Sequence, residues 1–221
     1  MKIAVLGGSF NPVHNAHISL ANQVCSRFAY DRVLFIPAFR PPHKEVKDEI
    51  SCQDRIKMLE LACQDDPRFE CDDCEIRRGG VSYTYDTICY IEEKYKNQLT
   101  DKVGLIMGTD LFAGFKYWYR AEELAQKCTL ILAGRPEEKL LSLHSNKPSG
   151  KFAEVDDRHF NLKDEPLFDS ALKLDNPLLK ISSTAIRDMA ARGEDFSALV
   201  PEKVFDYIVK GNLYGNNSGT C

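Results

Sequence analysis

Gly7-Gly8-Ser9-Phe10-Asn11-Pro12-Val13-His14-Asn15-Ala16-His17 separates two segments of different periodicity. Before it, Ile3-Ala4-Val5-Leu6 is a short apolar run with the branching of a buried strand. After it, Ile18, Ala21, Val24 or Cys25, and Phe28 recur at three- and four-residue steps, the spacing of a helix. The expected unit is strand, glycine-rich turn, helix. His14 and His17 fall where the turn becomes the helix, and two residues three apart on a first turn share one face. The unsatisfied N–H groups of a helix start attract anions there. The residues describe a phosphate site flanked by two imidazoles, although either histidine alone reads equally as a cap or surface residue. The pair has a spacing found in zinc sites, but no third ligand follows nearby, so no protein-held metal is expected. Neither a dinucleotide fingerprint (Gly-x-Gly-x-x-Gly) nor a P-loop is present.

The same alternation continues along the chain. Val33–Ile36, Val103–Met107 and Thr129–Ala133 are strand candidates, with a less regular one over Phe69–Ile76. Ser51 caps a helical pattern carrying Ile56, Leu59 and Ala62 or Cys63, with Asp54 at the capping-box position. Thr84 precedes Ile88, Ile91 and Tyr95 at helical spacing. Such an alternation predicts an α/β fold: a doubly wound, mainly parallel sheet with helices on both faces. Residues 137–177 are charged and interrupted by Pro148, Gly150 and Pro166, and read as a loop-rich insert with room for one edge strand. Leu178-Leu179-Lys180-Ile181 is a further strand candidate. Ser182-Ser183-Thr184 then offers caps for a helix bearing Ile186, Met189 and Ala190 and ending before Gly193. A last helix starts near Pro201 and stops at Gly211. With no repeat or linker, residues 1–214 are expected as one domain with a small C-terminal helical part (181–214), followed by a disordered polar tail, 215–221.

Composition narrows the class. The chain has 221 residues, 43% hydrophobic and 28% charged, an ordinary globular mix. No apolar run approaches the roughly 20 residues of a membrane helix, and the run after Lys2 is too short for a signal peptide. A net charge of −4 without a basic run disfavours a nucleic-acid or membrane footprint. Eight cysteines in a chain of this size without an export signal suggest reduced thiols and a cytoplasmic location.

Other candidates for chemistry lie at the ends of expected strands. Pro41-Pro42-His43-Lys44 follows the second strand, so stiffened backbone would project Lys44 at the carboxyl end of the sheet; an exposed lysine on a surface turn is the plain alternative. Arg187 comes one turn after the hydroxyls of Ser182, Ser183 and Thr184 and can fold over an anion held at that helix start, or be an ordinary surface arginine. Asp110, in Gly108-Thr109-Asp110, can accept from ribose hydroxyls or cap a helix. Tyr117-Trp118-Tyr119 reads as core or as a stacking platform, and Ser82-Tyr83-Thr84 as another helix start. Cys71-Asp72-Asp73-Cys74 has no second cysteine pair at zinc spacing and is taken as incidental.

Together these stretches resemble a known family. Gly8-Ser9-Phe10-Asn11-Pro12-Val13-His14-Asn15-Ala16-His17 resembles the His-x-Gly-His signature of the nucleotidyltransferase superfamily, and Ile181-Ser182-Ser183-Thr184-Ala185-Ile186-Arg187 resembles its second signature. Pro41-Pro42-His43-Lys44, Ser82-Tyr83-Thr84, Gly108-Thr109-Asp110, Trp118-Tyr119 and Arg135-Pro136 are similar in order and spacing to the bacterial nicotinate-nucleotide adenylyltransferases. Two positions depart: the family has Asp at Asn11 and Gly at Ala16. The resemblance implies a Rossmann-like fold and transfer of the adenylyl group of ATP to nicotinate mononucleotide, yielding deamido-NAD and pyrophosphate. It implies catalytic roles for His14, His17, Lys44 and Arg187. ATP would also meet Gly8, Ser9, Phe10, Asp110, Ser182, Ser183 and Thr184. The nicotinate nucleotide would meet Ser9, Tyr83, Thr84, Gly108, Asp110, Trp118, Tyr119 and Arg135. Mg²⁺ is expected with ATP, held mostly by phosphate and water. Nicotinamide mononucleotide or phosphopantetheine as acceptor, and a non-catalytic nucleotide sensor, are the alternatives; a homo-oligomer is allowed.

Overall fold

The computed structural model describes residues 1–40, 50–134, 165–175 and 179–215. In chain order it runs β1 (Ile3–Gly8), α1 (Asn15–Phe28), β2 (Arg32–Pro37), α2 (Cys52–Cys63), β3 (Phe69–Cys71), α3 (Cys74–Arg78), α4 (Thr84–Tyr95), β4 (Gly104–Gly108), α5 (Ala121–Lys127), β5 (Thr129–Ala133), β6 (Leu172–Leu174), α6 (Ser183–Arg192) and α7 (Glu202–Lys210). Short 3₁₀ turns at Thr109–Leu111 and Phe115–Tyr117 follow β4.

The six strands form one sheet in the order β3-β2-β1-β4-β5-β6, and every neighbouring pair is parallel. Alternation along the strands decides which face each side chain serves. Ala4 and Leu6 of β1 point into one core with Val33 and Phe35, beneath Ala21 and Val24 of α1, Met58 and Leu59 of α2, Ile186 of α6 and Val204 and Ile208 of α7. Ile3 and Val5 point the other way, with Leu34, Ile36, Leu105 and Met107, under Ile88 and Ile91 of α4 and Leu124 of α5. Two apolar faces per strand require helices on both sides, so the strands read as continuous apolar runs. The doubly wound arrangement expected from the sequence is the one observed.

The winding direction reverses between β1 and β4, the central pair, where Leu6 lies beside Ile106. The crevice outside the carboxyl ends of these two strands is the topological switch point, where sheets of this kind bind ligands. β1 delivers Gly8 to it and β4 delivers Gly108.

Two local expectations are corrected. The strand foreseen over Phe69–Ile76 stops at Cys71, because Asp72 accepts a hydrogen bond from the Cys74 backbone N–H at 2.9 Å and turns the chain into α3. Leu179–Ile181 forms no strand, and Leu178 lies outside the described residues. The edge strand for which residues 137–177 have room is Leu172–Leu174, which pairs with β5. Asp110 sits within the 3₁₀ turn whose N-cap is Gly108, not at the cap position of its alternative reading.

Candidate active site

The turn after β1 is built by its own residues. The Phe10 ring lies over Gly8 so closely that a Cβ there would sit 3.1 Å from it, so a larger residue at position 8 would press on the ring. Phe10 takes φ +46° and is 2% exposed, packed against Phe35 and edge-on to His17. Any contact of Phe10 with a nucleotide therefore falls to its backbone. Asn11-Pro12 is a cis peptide.

His14 is the N-cap of α1 and is buried, while His17 occupies its first turn. Their rings are stacked, with centroids 3.7 Å apart and an interplanar angle of 18°. The His14 backbone N–H donates to His17 Nδ1 at 3.3 Å, and the His17 N–H donates to the His14 carbonyl at 2.9 Å. No acidic residue lies in this first turn to offset the positive end of the helix dipole from within the helix.

The second signature is brought onto the first. Ser182 caps α6, its hydroxyl accepting from the Ala185 N–H. Ser183 Oγ donates to the Pro12 carbonyl at 2.9 Å, and Arg187 donates to the Asn11 carbonyl at 2.9 Å. Thr184 is exposed beside them. The first turn of α6 also lacks an acidic residue. Two helix starts, two imidazoles, hydroxyls and a guanidinium thus converge on one turn, an arrangement suited to a polyphosphate.

The candidate acceptor residues stand at the start of α4, at the end of β4 and in the turns that follow it. Tyr83 caps α4 and its ring lies 4.8 Å from that of Tyr119, with Thr84 following in the first turn. Trp118 is partly exposed, its ring 5.3 Å from Phe115. Ser82 does not cap the helix; its hydroxyl accepts from the backbone N–H groups of Phe39 and Arg40. Gly108 and Asp110 close the end of β4. Lys44, with Pro41-Pro42-His43, and Arg135 lie outside the described residues.

Reasoning from sequence passed over Arg55, Tyr207 and Tyr214. Arg55 is 3% exposed on α2 and donates to the carbonyls of Ser9 (2.9 Å) and Ala38 (2.8 Å). A signal existed: Arg55 shares a helical face with Met58, Leu59 and Ala62, where an apolar residue is the norm. Tyr207 of α7 donates to Asp54, and Tyr214 to Asn11. Burial pushes the Cys74 thiol up to about 12 and raises that of Cys71 as well, which disfavours the reactive thiolate at both. All seven cysteines among the described residues are unbridged.

A parallel doubly wound sheet with a strand–turn–helix at its switch point is an architecture typical of nucleotide-binding proteins. A family model described as "Cytidylyltransferase-like" matches residues 5–189. The chain is 37% identical over 214 residues, 97% of it and 99% of the relative, to a Treponema pallidum protein named "Probable nicotinate-nucleotide adenylyltransferase". It is 34% identical to a Borrelia garinii protein of the same name, covering 100% of this chain and 98% of that one. The fold matches a solved structure of Plasmodium falciparum nicotinic acid mononucleotide adenylyltransferase complexed with NaAD, with a TM-score of 0.67 at 19% identity and coverage of 96% and 97%. The chain belongs to the cytidylyltransferase-like family and, within it, to the family of the nicotinate-nucleotide adenylyltransferases.

Proposed function

We propose that this chain transfers the adenylyl group of ATP to nicotinate mononucleotide, forming deamido-NAD and pyrophosphate in NAD biosynthesis. The observation that carries the reading is the stacked His14–His17 pair at the switch point, with Ser183 and Arg187 bonded onto the same turn. Relatives named for this activity match over nearly the whole of both chains.

The reaction is an in-line displacement: the 5′-phosphate of the acceptor attacks the α-phosphorus of ATP, and pyrophosphate leaves. Such chemistry needs positioning and charge neutralisation rather than a covalent intermediate. The site supplies donors and cations, and its described residues are read as positioning and charge-stabilising groups rather than as a nucleophile. His14 and His17 face the α-phosphate and stabilise the charge that develops on it. Arg187 and Lys44 embrace the β- and γ-phosphates, with Ser182, Ser183, Thr184 and the N–H groups of both helix starts around them. The backbone of Gly8, Ser9 and Phe10 lines the α-phosphate, and Asp110 accepts from a ribose. Trp118 stacks on the pyridine ring, while Tyr83, Thr84, Tyr119, Gly108 and Arg135 surround the rest of the acceptor.

Mg²⁺ accompanies ATP and neutralises phosphate charge when bound. Among the described residues no group of three His, Cys, Asp or Glu side chains gathers as a metal cage. The donor set, with Asp110 as its carboxylate, suits a cation held mainly by phosphate and water oxygens. Unbridged thiols fit a reducing cytoplasm. No helix among the described residues is long and apolar enough to cross a membrane.

The test supplies ATP and Mg²⁺ with nicotinate mononucleotide, nicotinamide mononucleotide or phosphopantetheine, and measures pyrophosphate and the adenylylated product. Deamido-NAD from the first acceptor is the expected result. Its absence overturns the reading; product only from another acceptor reassigns the substrate. ATP binding without pyrophosphate release from any acceptor identifies a sensor.

A further inference from the structure

Arg55 is a buried cation with no counter-charge among the described residues. It is 3% exposed, and among the described residues no carboxylate lies within 4.0 Å of its guanidinium. Burying an unpaired charge is costly unless its N–H groups are satisfied. Here one nitrogen donates to the carbonyls of both Ser9 and Ala38, and the other to Cys52 Sγ at 3.3 Å. The two carbonyls belong to different loops. Ser9 is in the turn after β1, and Ala38 is the residue leaving β2, whose N–H donates to the Gly8 carbonyl at 2.9 Å.

The loop leaving β2 is bonded in turn to the other half of the crevice. Ser82 Oγ accepts from Phe39 (3.1 Å) and Arg40 (3.4 Å), and the Ser82 N–H donates to the Arg40 carbonyl at 2.9 Å. A continuous path therefore runs from the ATP-side turn through Arg55 to the start of α4, where Tyr83 and Thr84 sit. A planar guanidinium holds two acceptors in a fixed mutual geometry, which an ammonium on a flexible stem does not.

We propose that Arg55 is a positioning residue that sets the nucleotide-binding turn against the acceptor-binding helix start, so that the alignment of the two substrates depends on it. The proposal rests on the adenylyl-transfer reading. Misplacement of reacting groups by about 1 Å costs on the order of 10²-fold in rate, whereas each substrate can still bind its own half.

The experiment compares wild type with Arg55→Lys and Arg55→Met. In both folded variants kcat falls at least about tenfold, while KM for ATP and for nicotinate mononucleotide each change less than about threefold. Arg55→Lys keeps the charge and anchors the test if Arg55→Met fails to fold. Full kcat in Arg55→Lys, or a rise in one KM that accounts for the whole loss, overturns the proposal. Amide hydrogen exchange supplies an arm that needs no turnover. In Arg55→Lys, residues 8–11 and 38–40 both lose protection while α7 keeps its own. Loss on one side only, an even loss throughout, or none, refutes the coupling. If wild type makes no deamido-NAD, the functional reading fails, and the exchange result alone decides whether Arg55 joins the two loops.

Discussion

The Arg187 guanidinium donates to the backbone carbonyl of Asn11 at 2.9 Å, across 176 positions of sequence. The Asn11 side chain is held from another direction: Tyr214 donates its hydroxyl to Oδ1 at 2.6 Å. The second signature and the chain's last described turn thus both grip one residue of the first. Asparagine serves here as an acceptor, and an aspartate would offer the same oxygen. Asn11→Asp is therefore expected to keep kcat within about threefold of wild type. Asn11→Ala and Tyr214→Phe each remove the bond and cost about 0.5–1.5 kcal/mol. Combining them costs less than the sum. Urea midpoints and steady-state rates check this; additive losses refute the Asn11–Tyr214 contact.

His17→Ala removes a ring from the stacked pair while leaving the first turn of α1 to alanine, a strong helix former. The fold is expected to persist by circular dichroism. kcat is expected to fall on the order of 10²-fold or more, the loss typical of one charge-stabilising donor. An unchanged kcat in the folded variant rules out the role assigned to His17.

Trp118 is partly exposed, next to Tyr119 in the chain, with its ring 5.3 Å from Phe115. Stacking of an aromatic ring on a base is worth about 1–3 kcal/mol. Trp118→Ala is expected to raise KM for nicotinate mononucleotide by about tenfold and to leave KM for ATP near its wild-type value. Weakened ATP binding with an unchanged acceptor KM places the ring on the wrong substrate.

Strand faces were legible because they depend on residue type at period two. Ile3 and Val5 against Ala4 and Leu6 needed both faces buried, and both are. The two signatures were legible as helix starts, and both do begin helices that meet on one turn. What escaped depends on partners rather than residue types. Arg55 bonds to carbonyls, which every residue has, and Tyr214 meets Asn11 through a contact spanning 203 positions. Leu172–Leu174 is only three residues long and takes its strand character from the edge of β5. Leu178–Ile181 looked more apolar, but Leu179 and Lys180 lie exposed with no strand beside them.

Gly104 carries a constraint of packing rather than of φ. A Cβ there would lie 2.7–2.8 Å from the Tyr30 hydroxyl and ring. Tyr30 is 4% exposed, and burial pushes its hydroxyl up to about 12. Gly104→Ala is expected to destabilise by about 1–3 kcal/mol, the range for overpacking a filled core. Gly104→Ala combined with Tyr30→Phe relieves the closest of these contacts and should recover part of the loss in thermal midpoint. An unaltered midpoint in the single variant means that the strand shifts to accept the methyl group.

Asp54 joins the start of α2 to α7. The Ser51 hydroxyl donates to Oδ2 at 2.6 Å, and Tyr207 donates to Oδ1 at 2.8 Å. The Ser51 hydroxyl first, and Tyr207 and the Ser51 N–H with it, hold the carboxyl below its ordinary value of 3.8, against a smaller opposing effect of burial. A depressed carboxyl contributes stability above the unfolded value and loses it as pH falls through the lower folded value. The contribution of Asp54 is therefore complete at neutral pH and disappears as pH drops below about 4. Asp54→Asn keeps one acceptor for Tyr207 but lacks the charge at the helix start. It is expected to cost about 0.5–1 kcal/mol at pH 7 and to converge on wild type as pH falls through the lowered folded value. Chemical denaturation of both proteins from pH 7 to 2.5 measures the gap, and a gap that stays constant or widens toward acid excludes Asp54 as a source of the acid sensitivity.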